Sequence, residues 1–226
     1  MKVLETTLKP TVKTVFLLGT QLLMACGGGP TVPTLVTGLD EPEGPDVFWT
    51  SVSIGEGALS DFSCGVTSPG PAFCWGSWEN GQLGSAPSNA PAGIRSPLSV
   101  SGSVAFASIA AGWKHTCGVP EAGAAYCWGV IDSAQLAPPF VTTPQEVPGG
   151  LEFTALTSGD FITCGLTADG SAYCWSAHGV SPSAVPGGLA FKSISAGGSG
   201  FVCGVTLAGA GYCWGNNDSF QLGTGT

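Results

Sequence analysis

A pair of cysteines ten positions apart, with tryptophan directly after the second, occurs four times in this chain and constrains its fold more than any other feature. Midway between the cysteines lie the triplets 68–70, 121–123, 168–170 and 207–209, and each of them ends in glycine. Such triplets are typical of three-residue hairpin turns, in which the last residue adopts a left-handed conformation that glycine tolerates. The sequence therefore predicts four β-hairpins, at residues 62–75, 115–128, 162–175 and 201–214.

Counting outward from each turn places the two cysteines directly opposite one another, in a pair without backbone hydrogen bonds. The Cα atoms of such a pair lie about 4.5 Å apart, at the near edge of the range that a disulfide requires. Reduced thiols and metal ligands are the alternatives, although zinc sites favour shorter spacings. In an oxidising compartment we expect four disulfides, each within its own hairpin: Cys64–Cys74, Cys117–Cys127, Cys164–Cys174 and Cys203–Cys213.

The same register pairs a glycine with an aromatic ring in every hairpin, as in Gly165 opposite Tyr173. A ring that lies over a cross-strand glycine covers bare backbone and stabilises the register. Alternation then places the cysteines and aliphatic residues on one face and the tyrosines and tryptophans on the other. Because both faces are apolar, we expect neighbouring repeats to cover both of them.

A second repeated segment, similar to Phe-x-x-Ile-x-Ala-Gly, precedes each hairpin and begins at Trp49, Phe106, Phe153 and Phe191. A preceding strand, a hairpin and a return segment together fit a repeat of about 40–50 residues, which is typical of a four-stranded propeller blade. Glycine and proline interrupt the chain too often for long helices. The predicted fold is all-β, a β-propeller-like array of about four four-stranded blades over residues 47–226, in a partial or open ring.

The N-terminus has a different composition. Lys2, Lys9 and Lys13 precede an apolar run at 15–25, which is too short to span a bilayer comfortably but is typical of a signal-peptide core. The run ends in Leu-Met-Ala-Cys26 and three glycines, similar to the lipobox of a bacterial lipoprotein. We expect a signal peptide at 1–25, lipid attachment to Cys26, a tether at 26–46, and a place in the bacterial cell envelope, at the outer membrane or cell surface. An ordinary signal peptide with an incidental cysteine is the alternative.

The charge of the chain excludes one class of partner. The formal net charge is −9, and Arg95, Lys114 and Lys192 are the three basic side chains that follow Cys26. Three cations cannot neutralise a row of phosphates, so we expect no binding to nucleic acid. The acidic residues between 40 and 46 lack the spacing of a calcium loop and are interpreted as a solvated linker.

Two longer segments follow the tryptophans of the first and last hairpins, at 76–84 and 215–223, and both contain Gln-Leu-Gly. Together with Phe-x-x-Ile-x-Ala-Gly, His-Thr-Cys-Gly-Val and Tyr-Cys-Trp-Gly, they resemble the repeat of the regulator of chromosome condensation family. The cysteine pairs and the lipobox resemble an exported bacterial branch of it. The segment with Gln-Leu-Gly is reduced at 132–137 and missing after Trp175. Since the family's propellers have seven blades, four repeats imply either a piece of a longer protein or an open arc.

The resemblance implies a non-enzymatic binding or scaffold protein, whose partner is an unknown protein or surface ligand and which reaches the membrane through its lipid. The alternative is a regulator of a partner enzyme. Some members of the family stimulate nucleotide exchange on a small GTPase, and a secreted bacterial one inhibits β-lactamases. An enzyme acting on surface polymer is the least favoured hypothesis, because no phosphate loop, nucleophile elbow or metal signature is present. We therefore expect no cofactor, no bound metal and no catalytic residue. His115 is interpreted as a packed strand residue.

The segments after the four tryptophans, 77–83, 130–135, 177–183 and 216–220, differ among repeats that otherwise agree. We interpret them as rim loops without packing constraints, where specificity can reside; drift in unconstrained surface loops is the alternative. Trp113, in another connection, is a further candidate for an exposed contact. The predicted partner-binding residues are Trp78, Ile131, His178 and Phe220.

Overall fold

The computed structural model describes residues 48–55, 57, 61–68, 70–85, 93–121, 123–130, 140–176 and 181–225. The predicted signal peptide, the lipid site at Cys26, the tether, Ile131 and His178 lie outside these residues. The chain divides into two units, 1–38 and 39–226, and every described residue belongs to the second. Among the described residues, no helix has the length and apolar character needed to cross a membrane.

The described chain folds into four antiparallel sheets, one per repeat, which we number as blades 1 to 4. Blade 1 contains β1 (Phe48–Gly55), β2 (Phe62–Ser68), β3 (Ala72–Gly76) and β4 (Ile94–Ser99). Blade 2 contains β5 (Ser108–Ala111), β6 (His115–Val119), β7 (Tyr126–Val130) and β8 (Phe140–Glu146). Blade 3 contains β9 (Ala155–Ser158), β10 (Ile162–Leu166), β11 (Ala172–Ser176) and β12 (Ser183–Ala184). Blade 4 contains β13 (Phe191–Ala196), β14 (Phe201–Thr206) and β15 (Gly211–Gly215), with a 3-10 turn at Gly198–Gly200.

Each sheet is a simple meander, so strands that are consecutive in the chain are neighbours in the sheet. The all-β fold is confirmed, and three blades have the four strands that the repeat predicted. Blade 4 differs, because its described residues supply three strands.

The predicted hairpin register is present in all four blades. Cys164 lies opposite Cys174 and Gly165 opposite Tyr173, and the other hairpins have the same pairing. The four turn glycines have φ between 82° and 141°, the left-handed region in which a Cβ is penalised. All four expected cysteine pairs are bonded in the structure, with Cα atoms 4.0–4.1 Å apart.

The ring that covers the hairpin glycine is not the cross-strand one, and this part of the sequence prediction is wrong. A Cβ on Gly165 would lie 2.5 Å from the ring of Phe153, which precedes the blade, and no atom of Tyr173 is as near. The ring of Trp49 takes the same place over Gly65, and that of Phe106 over Gly118. The glycine is required because a ring from outside the hairpin lies directly on its backbone.

Neighbouring blades cover one another by a constant rule. The face of each hairpin that carries the disulfide and aliphatic residues, here called the cystine face, contacts the following blade. The opposite face carries the tryptophan and the ring that covers the hairpin glycine, and is here called the aromatic face. In blades 2 to 4 it contacts the preceding blade. Between blades 1 and 2, Cys64, Val66 and Cys74 pack against Phe106 and Trp128. Between blades 2 and 3, Cys117, Val119 and Cys127 pack against Phe153 and Trp175. Between blades 3 and 4, Leu166 and Ala172 pack against Phe191 and Trp214.

The first strands of successive blades also approach closely. A Cβ on Gly55 would lie 2.3 Å from the Gly112 carbonyl oxygen, one on Gly112 would lie 2.4 Å from that of Gly159, and one on Gly159 would lie 2.1 Å from that of Gly197. The last position of the Ile-x-Ala-Gly segment is therefore glycine because the next blade's backbone occupies the space of a side chain.

Hydroxyl groups connect the same strands. The backbone N–H of Ala111 donates to Ser53 Oγ, and that of Ala196 donates to Thr157 Oγ1. Both donor–acceptor distances are 2.9 Å. These two bonds occupy equivalent positions, one joining β1 to β5 and the other β9 to β13. In blade 2 the equivalent position is Ala110, which has no hydroxyl group. There Ser158 Oγ of blade 3 donates to the Ala110 carbonyl oxygen at 3.4 Å.

A buried polar network joins blades 2 and 3. Thr163 Oγ1 lies 2.9 Å from His115 Nε2, 3.0 Å from Ser158 Oγ and 3.5 Å from Cys117 Sγ. His115 is 2 % exposed and Thr163 is fully buried. The interpretation of His115 as a packed strand residue therefore agrees with its position in the structure.

We expect Thr163→Val to lower the free energy of unfolding by about 1–3 kcal/mol, because it removes a buried hydroxyl that three neighbours share. Valine is similar in shape, and Val202 occupies the equivalent position in blade 4. Urea unfolding followed by far-UV circular dichroism measures the change. Thr143→Val, at an exposed threonine of β8, is the matched control and should shift stability by no more than about 0.5 kcal/mol. Equal stability of the two variants would contradict a structural role for the network.

Candidate functional site

The two rims of the array carry different kinds of segment. Because the strands alternate in direction, the hairpin turns and the connections between blades lie on one rim. The loops that follow the first and third strands lie on the other, which we call the variable rim. Its described residues are 57, 61, 77–85, 93, 112–114, 159–161, 181–182, 197–200 and 216–225.

Four side chains from two neighbouring blades come together on the variable rim and form what we call the rim cluster: Trp113, Lys114, Asp160 and Phe161. The rings of Trp113 and Phe161 meet edge to face, with centroids 4.9 Å apart. Lys114 Nζ lies 4.3 Å from the centroid of the Trp113 ring, within the range of a cation–π contact. Phe161 remains 49 % exposed. The cluster therefore presents a supported aromatic surface to solvent.

Asp160 connects this cluster to blade 4, because its Oδ2 accepts a hydrogen bond from the Ser199 backbone N–H at 3.0 Å. Ser199 has a φ of 62°, in the left-handed region that is uncommon for residues other than glycine. A cleft of about 260 Å³ lies here, at the ends of the first strands, and its lining includes Ile54, Trp113 and Asp160. The site thus offers aromatic and aliphatic contacts beside one carboxylate.

Sequence reasoning identified Trp113 as a contact candidate but not Lys114, Asp160 or Phe161. Trp113 and Phe161 belong to different repeats, and the blade packing alone brings them together. Aligning the repeats could have suggested the pair, because both residues lie between the Ala-Gly or Ser-Gly dipeptide of their repeat and the hairpin.

Trp78 is not the exposed residue that the sequence suggested. It is half-buried and packs against the cluster between blades 1 and 2, while Gln82 and Leu83 in the same loop are fully buried. The Gln82 carbonyl accepts hydrogen bonds from Thr116 Oγ1 at 2.9 Å and from Trp128 Nε1 at 2.8 Å. The prediction that residues 77–83 are free of packing constraints is therefore wrong.

We call residues 76–84 of blade 1 and the equivalent residues 215–223 of blade 4 docking loops, because the first of them inserts into the next blade. In the second, Phe220 is 73 % exposed and has φ of 60°, unusual for a bulky residue. Its exposure agrees with the predicted rim position. A role of Trp78 or Phe220 in partner binding stays a prediction, as it does for Ile131 and His178.

The described residues contain no group of three or more His, Cys, Asp or Glu side chains that are placed to bind a metal ion. One carboxyl has a shifted pKa. Hydrogen bonds to Asp169 from the Thr167 hydroxyl, and from the backbone and hydroxyl of Ser171, hold the pKa of that carboxyl below its ordinary value of 3.8. Asp169 lies in a hairpin turn, on the rim opposite the rim cluster, so this shift concerns the turn and not the site.

The family model for the regulator of chromosome condensation (RCC1) repeat matches residues 69–119, which contain the first docking loop and the β6 strand. The fold is similar to that of yeast RCC1 (Prp20) bound to Kap60, with a TM-score of 0.65 and 20 % identity over 80 % of this chain and 47 % of that one. Residues 69–119 thus match an RCC1 repeat, and the chain has the fold of an RCC1-type propeller. The resemblance that the repeats indicated is thereby confirmed, whereas the exported lipoprotein branch stays a prediction.

Two other solved structures have a similar fold. Prp20p from Saccharomyces cerevisiae has a TM-score of 0.66 and 19 % identity, over 82 % of this chain and 49 % of that one. Human WBSCR16 has a TM-score of 0.67 and 16 % identity, over 81 % of this chain and 53 % of that one. The chain spans about half the length of these three proteins. No curated protein sequence matches it significantly.

Proposed function

We propose that this chain is a non-enzymatic binding protein of the bacterial cell envelope, attached to the membrane through lipid on Cys26 and recognising a protein partner with the variable rim. An RCC1-type propeller favours protein binding or the regulation of a partner. The similar Prp20p is described with its binding to Gsp1p and histones, and yeast RCC1 with bound Kap60. The observation that carries the proposal is the rim cluster.

The rim cluster has the properties of a protein-binding hot spot. Tryptophan is among the residues that contribute most to interfaces, and the edge contact with Phe161 and the stacked Lys114 restrict the motion of Trp113. A side chain that is already held in place loses less conformational entropy on binding. The carboxylate of Asp160 and the net charge of −9 favour a partner that places a basic side chain beside an apolar one.

Site-specific photo-cross-linking tests the use of this rim. We expect a photoreactive amino acid at Phe161 to give a discrete adduct in cells, whereas the same group at Leu207 gives none. Leu207 is the matched control, because it is 67 % exposed but lies in a hairpin turn on the opposite rim. Mass spectrometry of the adduct then shows whether the partner is a structural protein or an enzyme that the array regulates. Equal labelling from both positions, or no adduct from Phe161, would count against the rim as the binding surface.

The proposed anchor is tested by Cys26→Ala. We expect this variant to move from the membrane fraction to the soluble fraction and to lose its acyl mass, because two or more acyl chains anchor a protein stably where one is marginal. Gly28→Ala, two residues further along the tether, should leave the protein in the membrane. Retention of Cys26→Ala in the membrane fraction would show that another element anchors the chain.

A further inference from the structure

The cleft beside the rim cluster, here called the rim cleft, has room for one long side chain. Its volume is about 260 Å³, and six of its ten lining residues are glycine or alanine, at or just after the ends of the first strands. Such small residues leave the space open and put backbone atoms on its surface. The larger side chains that line it are Ile54, Trp113, Ser158 and Asp160. The rim cleft therefore combines an apolar wall with one carboxylate.

The rim cleft lies over junctions in which both blades are described. Trp113 belongs to blade 2, Asp160 to blade 3 and Gly198 to the loop after the first strand of blade 4. Blade 2 packs on blade 3, and blade 3 on blade 4, through two of the clusters between blades. The ring and the carboxylate of the cleft are therefore held in place by these three blades, whatever precedes blade 1 or follows blade 4.

Asp160 presents one carboxylate oxygen that is not used within the array. Its Oδ2 accepts the Ser199 backbone N–H at 3.0 Å, which fixes the carboxylate against blade 4. A Cβ on Gly198 would lie 3.1 Å from Oδ2 and 3.3 Å from Oδ1, so the glycine at this position leaves the carboxylate room. Among the described residues, no hydrogen bond or ion pair reaches Oδ1. A fixed carboxylate with a spare oxygen is a strong acceptor for a cationic donor.

The Trp113 ring in the same cleft also attracts cations. Lys114 Nζ lies 4.3 Å from the centroid of this ring, and a guanidinium group binds an indole in the same way. Phe161 meets the ring edge to face, with centroids 4.9 Å apart, and so holds it in position. The charge of the whole chain acts in the same direction, because a net charge of −9 attracts cations to the surface. The rim cleft is therefore suited to a cation that also contacts an aromatic wall.

The shape of the rim cleft favours a cation with an apolar stem. A metal ion takes several oxygen ligands, whereas the described chain places no group of three acidic, histidine or cysteine side chains to bind one. Arginine and lysine bury their methylene stems along apolar surface and keep the charged head in polar surroundings. Of the two, arginine has a planar head that stacks on aromatic rings and donates two parallel hydrogen bonds to one carboxylate. Arginine thus fits both the ring and the carboxylate.

We propose that the rim cleft binds an arginine side chain of the protein partner, with the guanidinium group on Asp160 and the methylene stem against Ile54 and Trp113. This inference rests on the proposed function, in which the variable rim binds a protein, and it adds the residue that anchors the partner. Phe161, which is exposed beside the cleft, contacts the apolar residue next to that arginine. Arginine is among the residues that contribute most to interfaces.

A titration with small probes tests the chemistry of the rim cleft without the partner. The full chain, isotope-labelled and held in mild non-ionic detergent, is titrated with N-acetyl-L-arginine amide and followed by nuclear magnetic resonance. We expect the signals of the Trp113 indole N–H and the Ser199 backbone N–H to shift, with a Kd in the millimolar range that is usual for so small a ligand. N-acetyl-L-lysine amide should bind about threefold more weakly, and the uncharged N-acetyl-L-norleucine amide should cause no shift.

Asp160→Asn is the main variant, because asparagine keeps the shape and an oxygen for the Ser199 N–H but removes the charge. We expect it to bind the arginine probe at least about tenfold more weakly, since hydrogen bonds to charged groups are the stronger ones. Asp169→Asn, which removes a carboxylate from the opposite rim, is the matched control and should bind the probe as wild type does. Undiminished binding to Asp160→Asn would overturn the proposal. Binding of the lysine or norleucine probe as tight as that of the arginine probe would overturn it equally.

Photo-cross-linking from Phe161 separates this inference from the proposed function. We expect the yield of the adduct in cells to fall severalfold when Asp160→Asn is added, and the cross-linked partner peptide to contain an arginine near the site of attachment. An undiminished yield with Asp160→Asn would leave the variable rim as the binding surface and overturn the arginine anchor. If Phe161 gives no adduct, the proposed function fails, whereas the probe titration decides independently whether the rim cleft binds a guanidinium group.

Discussion

Trp128→Ala lowers the free energy of unfolding by about 3–5 kcal/mol, the cost of removing a large aromatic side chain from a packed interior. Trp128 is fully buried, packs against Phe106 with centroids 5.6 Å apart, and donates its Nε1–H to the Gln82 carbonyl at 2.8 Å. Its loss therefore opens a cavity between blades 1 and 2 and also removes a hydrogen bond to the docking loop. Urea unfolding followed by far-UV circular dichroism measures this change.

The matched control is Trp75→Ala, which changes the equivalent residue of blade 1. The two tryptophans follow the second cysteine of their hairpins, yet Trp75 borders an open cleft and, among the described residues, no neighbouring blade. Trp75→Ala should therefore cost less than half as much. Trp128→Phe, which keeps an aromatic ring and loses the indole N–H, should fall between the two. Equal losses for Trp75→Ala and Trp128→Ala would mean that the hairpin, and not the blade junction, stabilises these rings.

Gly159→Ala destabilises the junction of blades 3 and 4 by roughly 1–3 kcal/mol, the usual cost of inserting one carbon atom into a packed interface. The added Cβ would lie 2.1 Å from the Gly197 carbonyl oxygen and 3.0 Å from its carbon. Both atoms are backbone, so relief requires blade 4 to move relative to blade 3. Urea unfolding measures the loss, and increased hydrogen exchange of the amides of β13 and β14 should show that the change reaches blade 4.

Gly211→Ala serves as the control for this substitution. Gly211 also lies at a strand, and a Cβ there would meet no atom within 4 Å, so alanine should leave stability unchanged or slightly raised. Gly112→Ala, one blade earlier, should reproduce the loss because its Cβ would lie 2.4 Å from the Gly159 carbonyl oxygen. If Gly159→Ala and Gly211→Ala behave alike, the close approach between first strands does not contribute to the stability of the array.

The hairpins could be predicted from the sequence because their determinants are local. A glycine at the end of a three-residue turn and two cysteines equidistant from it define one register, and every strand pair built on it is present. The division into a cystine face and an aromatic face follows from alternation within one strand. The need for a neighbour on both faces follows from their apolar composition.

Contacts between repeats were beyond sequence reasoning, because residues more than 30 positions apart meet there. The loop at 77–83 varies among repeats and was interpreted as unconstrained, yet its Gln82 carbonyl receives two hydrogen bonds from the next blade. The glycine of each hairpin was assigned to the wrong ring, since the covering ring comes from the start of the first strand or from the residues just before it. The sequence pattern alone could not distinguish a variable loop that faces solvent from one that packs into the next blade.

The sequence by itself determined the repeat, the hairpin register and the two-faced character of each blade, because short-range geometry decides these properties. Only the tertiary structure decided which face meets the preceding blade and which meets the following one. It also decided that Trp113 and Phe161 form one surface. These properties depend on how one rigid sheet stacks on the next, and no spacing within a single repeat encodes that direction.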